Sequence, residues 1–139
     1  MAVKTYEMKF STKGEVDMID VTGEVSAFIA RSGLKDGIAC VHCPGATGAM
    51  TTIEYEDGLL EDFPRMLESI APKDLLYQHH VRWQDGNGHS HVRASLIGPS
   101  ITVPFSKGAP VLGQWQQLTF VDLDNRPRDR RLVVQLVGE

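Results

Sequence analysis

The chain has 139 residues, 42% of them hydrophobic and 23% charged, with a formal net charge of −4 at pH 7. That length corresponds to about one domain by the usual prior of ~100–200 residues and suffices to bury one core, so residues 1–139 are expected to form a single domain. The composition excludes the disordered and collagen-like extremes. An acidic balance leaves no basic footprint for nucleic acid, the N-terminus lacks the basic and apolar regions of a signal peptide, and no apolar run approaches the ~18 residues of a membrane span. The expectation is a cytoplasmic protein with neither nucleic acid nor membrane as a partner.

In chain order, Val3 to Thr12 alternates as a first strand, and Lys13-Gly14 marks a turn before a short second strand through Ile19, which together read as an opening hairpin. Asp20-Val21-Thr22 offers capping residues ahead of Val25, Phe28 and Ile29, whose spacing gives one apolar face to a helix over residues 22–32 that stops at Gly33. Gly37 to Cys43 reads as a buried strand. The loop Pro44-Gly45-Ala46-Thr47-Gly48 separates it from a β-branched stretch, Met50 to Tyr55, and the two strands are expected to lie near each other. Leu59, Leu60, Phe63, Met66, Leu67 and Ile70 keep a helical rhythm, so a second helix covers 58–71, with Pro64 marking its start or a kink.

Next comes the densest chemistry. Four of the five histidines lie between His79 and His91, in Tyr77-Gln78-His79-His80-Val81-Arg82-Trp83-Gln84-Asp85-Gly86-Asn87-Gly88-His89-Ser90-His91. Imidazole is the commonest protein metal ligand and titrates near neutrality. On an extended segment, His89 and His91 point the same way, and the Asp-Gly-Asn-Gly stretch is a loop able to return His79 or His80 toward them. If His89 to Leu96 is instead a short helix stopped by Gly98-Pro99, those two rings lie about 200° apart and cannot share one ion. Beyond it, Ser100 to Phe105, Val111-Leu112, Gln116 to Leu123 and Arg131 to Val137 are short β-rich segments. The last of these has few charges and reads as interior to a sheet. The class that follows is α+β, mostly antiparallel, with two or three helices beside the sheets.

Several residues admit a functional reading beside a structural one. Glu54 closes an otherwise apolar strand; it is a surface acid or, within reach of the histidines, a metal ligand or general base. Thr47 and Gly48 belong to a small-residue loop that is a tight connection or a nest whose N–H groups and hydroxyl hold a phosphate. Arg93 either grips that phosphate with its planar fork or pairs with an acid. Trp115 and Gln116 are core residues or the wall against which a flat heterocycle stacks. Asp85 and Asn87 are turn residues first. Cys40 and Cys43, in Cys-Val-His-Cys, lack the second ligand pair of a zinc site. They point to opposite faces if the segment is a strand, so they read as small strand residues, one of them buried.

The segments Pro44 to Glu54, His79, Ser90-His91-Val92-Arg93-Ala94, Gly113-Gln114-Trp115-Gln116 and Arg130 to Glu139 together resemble the YjbQ-like family of secondary thiamine-phosphate synthases, in the same order and at similar spacing along nearly the whole chain. The resemblance implies a single α+β domain that assembles as a homotrimer. It also implies a pocket of histidines and acids near the subunit contacts, often holding a metal or an anion, and weak joining of a thiazole phosphate to a pyrimidine pyrophosphate. Asp62 falls near a family acid and is, with Glu54, a candidate catalytic carboxylate. His79, His89 and His91 are the candidate ligands of a divalent metal, zinc or magnesium. Many relatives carry Pro-His-Thr-Thr where this chain has Gly45 after Pro44, and His89 is the candidate that compensates.

Two classes of function follow. One is an enzyme acting on a phosphorylated small molecule, with Thr47, Gly48, Arg93, Trp115 and Gln116 contacting substrate. The other is a non-catalytic trimer that binds a metal or a phosphorylated small molecule with the same residues.

Overall fold

Period-two alternation builds most of this molecule, and two short apolar helical faces close it. In the computed structural model, which describes residues 1–139, the elements run β1 (Ala2–Ser11), β2 (Asp17–Asp20), α1 (Thr22–Ser32), β3 (Gly37–His42), β4 (Gly48–Ile53) and α2 (Asp57–Ile70). They continue with α3 (Gln78–Trp83), α4 (Gly88–Ile97), β5 (Ser100–Ser106), β6 (Ala109–Pro110), β7 (Gln117–Asp122) and β8 (Asp129–Gly138). The strands form a five-stranded antiparallel sheet ordered β1-β8-β3-β5-β6 and a three-stranded one ordered β2-β7-β4. The α+β class expected from the sequence is what the chain adopts, with four helices rather than two or three.

β8 pairs with β1 on one side and β3 on the other, so it is interior to its sheet as its apolar pattern predicts. Leu132, Val134 and Leu136 point to one face and are fully buried. They meet Val25 and Ile29 of α1 and Leu118 and Phe120 of β7 in the larger core cluster. The stripe of α1 is therefore satisfied against both sheets, and Gly33 ends the helix with φ of 78°, a conformation that favours glycine. A smaller cluster joins Leu67 of α2 and Ala94 of α4 to Ala49, Val121 and Leu123.

The opening hairpin is corrected: β1 pairs only with β8 and β2 only with β7, because their apolar faces serve different sheets. β3 and β4 lie near each other, Gly48 packing against Cys43 and Met50 sharing a core cluster with Val41, but they belong to separate sheets, and the small-residue loop carries the chain from one to the other. Pro64 does not start α2; the helix runs through it, and its missing N–H leaves the Leu60 carbonyl without the usual bond. Cys40 and Cys43 are both free, Cys43 buried and Cys40 partly so. No helix is long and apolar enough to cross a membrane.

Candidate functional site

The histidine run is two short helices rather than an extended hairpin. α3 carries His79 and His80; the chain then turns through Gln84, which has φ of 55°, and Gly86 before α4 carries His89 and His91. The turn folds α3 back so that the rings of His79 and His91 lie 4.2 Å apart between centroids, inclined by 36°. His79 Nδ1 is 3.4 Å from Asp85 Oδ1, so a residue placed by turn chemistry also faces the imidazole with a carboxylate. Asn87 sits between Asp85 and Asp124. Its Nδ2 lies 3.4 Å from Asp124 Oδ1, and with the amide turned over it donates to both Asp85 oxygens at 2.9 and 3.1 Å.

The helical alternative holds for His89. Its ring is 1% exposed and leaves the opposite side of α4, with Nε2 3.3 Å from Glu15 Oε1. Residues two apart on a helix cannot share an ion, and nowhere do three or more His, Cys, Asp or Glu side chains stand together as a metal-holding group. The ligand set His79, His89 and His91 is therefore corrected to a pair, His79 with His91, that does not by itself fit a divalent metal.

Asp124 carries the polar network inward. Thr47 Oγ1 donates to Asp124 Oδ2 at 3.2 Å and accepts from Arg130 Nη2 at 2.9 Å. Arg130, with a side chain 5% exposed, grips Asp122 with two 2.8 Å bonds, from Nε to Oδ2 and from Nη2 to Oδ1. Thr12 closes the other side of Asp122 through a 2.6 Å hydroxyl bond. The result is one connected path from the buried pair Arg130–Asp122 through Thr47 to Asp124, with Asn87 beyond it donating to Asp124 in one amide orientation and to Asp85, the carboxylate that faces His79, in the other. Sequence reasoning passed over Arg130, Asp122 and Asp124. A signal existed, since alternation along β8 puts Arg130 on the same inward face as Leu132 and Val134.

Burial lowers the pKa of His91 and the neighbouring His79 lowers it further, against the pull of Asp85 and Asp124 upward. For Asp124, burial opposes ionisation, but the Asn125 N–H, the Asn87 amide, Arg128 and the Thr47 hydroxyl together hold its carboxyl below the usual range. A histidine depressed by folding binds its proton more readily when unfolded, so it adds stability above the unfolded pKa of about 6.5 that disappears as pH falls toward the folded value. The wild type should therefore lose stability on acidification from pH 7 through that window, and His91→Gln should flatten that part of the curve. Urea unfolding at several pH values checks this; a curve with the same slope in both proteins would refute it.

The remaining sequence candidates lie elsewhere. Glu54 is exposed just past the end of β4 and stands in no group with the histidines. Asp62 is exposed on α2 and pairs with Arg65 one helical turn on, at 2.7 Å. Arg93 is 2% exposed and held away from the recess: Nε donates to the Ala71 carbonyl at 3.0 Å and Nη2 to Glu68 Oε2 at 2.6 Å, a clamp between α4 and α2. Trp115 is 63% exposed, neither core nor the wall of a cavity, and Gln116 accepts the Gly113 N–H at 2.8 Å in a local turn. Thr47 is buried in the network of Asp124 and Arg130, and Gly48 stands near His91. Gly48 is buried where a Cβ would stand 2.7 Å from Cys43 Sγ, and it lines a recess of about 150 Å³ with Gly45, Ala46, His91, Ala94, Ser95 and Pro99. Gly45, Ala46 and Gly48 of the loop thus share one cavity with His91.

Comparison with known proteins places this geometry in a family. Residues 6–139 match the family model described as UPF0047 protein YjbQ-like. A UPF0047 protein of Methanothermobacter thermautotrophicus is 40% identical over 139 residues, covering all of this chain and 95% of the relative. One of Bacillus subtilis is 32% identical, covering 98% and 99%. Among solved structures, an uncharacterised YjbQ/UPF0047 protein of Clostridium acetobutylicum superposes with a TM-score of 0.86 at 32% identity over 95% of this chain and 99% of the other. A YbjQ-like protein of unknown function from Sulfolobus solfataricus gives 0.88 at 27% over 99% and 100%. Shared length, shared topology and the family model agree: the chain belongs to the UPF0047 (YjbQ-like) family.

Proposed function

We propose that the chain is a weak secondary thiamine-phosphate synthase, joining a thiazole phosphate and a pyrimidine pyrophosphate at the face made by His79, His91 and the Gly45–Gly48 loop. The observation that supports this reading is the recess that the loop and His91 line together, with the paired imidazole rings behind it. In the reaction, the thiazole nitrogen forms a bond to the pyrimidine methylene carbon as the carbon–oxygen bond breaks, and pyrophosphate leaves with that electron pair. His79, faced by Asp85, gives a proton to the departing pyrophosphate, while neutral His91 accepts a hydrogen bond from the bound heterocycle and orients it. Acids flanking the histidines and an arginine committed elsewhere oppose a highly charged substrate, which supports slow turnover.

A recess of about 150 Å³ holds a phosphate group, not two heterocycles, since sites for small molecules run to about 300–1,000 Å³. The exposed apolar residues Val92 and Leu96 border the same side of α4. Both points favour a homotrimer in which a neighbouring subunit completes the pocket. A divalent metal, zinc or magnesium, would have only His79 and His91 on this chain, and no step above depends on one. The alternative, a trimer that binds a phosphorylated small molecule without turnover, is favoured by the same shortage of free cations.

The test is product formation from the two precursors, run beside light scattering. Wild type should scatter as a trimer and form thiamine phosphate, and His79→Ala, which removes the proton donor, should slow it by about a hundredfold, the usual scale for losing a positioned acid or base. Binding without product in the wild type would leave the binding protein as the function, and a monomer at all concentrations would remove the shared pocket.

A further inference from the structure

Which group receives the substrate's phosphate is a separate question, because Arg93, the arginine that the sequence offers for it, is clamped between α2 and α4 by Glu68 and Ala71 and lines no part of the recess. Arg130 is buried one layer beneath the loop. A guanidinium has five N–H bonds, one on Nε and two on each terminal nitrogen. The Nε bond and one from Nη2 go to Asp122, and the other from Nη2 goes to Thr47, through its hydroxyl at 2.9 Å and its carbonyl at 3.2 Å. Nη1 has no partner in the protein, and it is the one atom within 4 Å of where a Cβ on Gly45 would stand, at 3.4 Å. Gly45 has φ of 143°, a conformation L side chains rarely adopt. The backbone N–H groups of Gly45, Ala46 and Thr47 likewise make no hydrogen bond within the protein. A buried fork with two spare donors beside three successive unpaired amides is a complementary surface for a tetrahedral oxyanion.

We infer that Arg130 Nη1 and the Gly45–Thr47 amides form the phosphate-monoester site of this protein, with Asp122 and Thr47 fixing the guanidinium. This rests on the reading that the adjoining recess is where substrate binds, but it concerns a different set of residues. Asp122 is the positioning residue: it holds Nε and one N–H of Nη2 while Thr47 takes the other, which leaves Nη1 as the unpartnered edge beside Gly45. The charge of Arg130 is offset by Asp122 and that of Arg128 by Asp124, so the site suits one phosphate held by directed donors rather than a polyanion drawn by net charge.

Calorimetric titration of the intact protein with inorganic phosphate, with acetate as a planar control, tests this. Wild type should bind phosphate more tightly than acetate. Arg130→Lys, which keeps charge but loses the fork, and Gly45→Ala, which sets a methyl against Nη1, should each weaken phosphate by at least about tenfold. Arg131→Gln, an exposed neighbour on the opposite face of β8, should leave it unchanged. If Arg130→Lys and Gly45→Ala bind like wild type, or Arg131→Gln loses as much as they do, the inference is overturned. Should a variant fail to fold, tungstate soaked into wild-type crystals decides: anomalous density within hydrogen-bonding reach of Nη1 supports the site, and density elsewhere or none removes it. Phosphate binding without synthase product would overturn the proposed activity and leave this site standing, whereas turnover with phosphate affinity indifferent to both variants would do the reverse.

Discussion

Asp122→Ala is expected to destabilise the fold by about 3–5 kcal/mol, because it strands a buried cation. Asp122 is completely buried and Arg130 nearly so, and the carboxylate also receives the Thr12 hydroxyl and the Asp124 N–H. Removing it leaves the Asp124 N–H and the guanidinium Nε without an acceptor, Nη2 with Thr47 alone and the Thr12 hydroxyl with only the Arg128 carbonyl. The pair need not itself be stabilising relative to an apolar core. The double variant Asp122→Leu/Arg130→Met should therefore cost less than the sum of the two single changes, since it removes the orphaned charge along with its partner. Urea unfolding at one fixed protein concentration measures both. An Asp122→Ala variant within about 1 kcal/mol of wild type would mean that the guanidinium finds another acceptor and that the network is not rigid.

The second large effect falls on Arg93. Its side chain is buried between α2 and α4, and truncation to alanine removes that packing and leaves the Ala71 carbonyl at the end of α2 unsatisfied. A loss of about 2–4 kcal/mol is expected from packing and the orphaned acceptor together. The Glu68 carboxyl, held low chiefly by the Lys73 N–H, then by the Arg93 hydrogen bond and charge against the desolvation that raises it, should titrate closer to its ordinary range in the variant. The folded variant should bind phosphate as wild type does. Arg93→Ala with unchanged stability and lost phosphate affinity would make Arg93 a ligand after all.

The sequence is legible where structure is local. Helix 22–32 matches α1 residue for residue because a capping segment, a 3-and-4 apolar spacing and Gly33 all act within a dozen positions. α4 and β8 were likewise visible, within two residues at each end. α3 was not, since Gln78–Trp83 is only six residues long and lacks both a side-chain cap and a buried stripe. The hairpin expected for β1 and β2 failed for a different reason: turn chemistry at Lys13-Gly14 reports that the chain bends, not which sheet receives it. The site divides the same way. His79 and His91 could be grouped from spacing in one run, and Thr47 and Gly48 from a loop of small residues. The fate of Arg93 depended on Glu68, 25 positions away, and the value of Arg130 on Thr47, 83 positions away, pairings that only the folded chain reveals.

The place of β8 also bears on how the protein is made. β8 leaves the ribosome after every other strand of its sheet, yet it is the only partner of β1 and one of the two partners of β3. During synthesis β1 therefore waits, with both edges unpaired, while more than a hundred further residues are added. Such an edge is the kind that recruits another chain. β1 meets that interval with a sparsely apolar, charge-bearing strand in which Lys4, Glu7 and Lys9 interrupt the hydrophobic positions. In the finished sheet Glu7 pairs with Arg131 of β8 across the exposed face, an ion pair of small worth. On an unpaired strand the same charges oppose attachment to another chain.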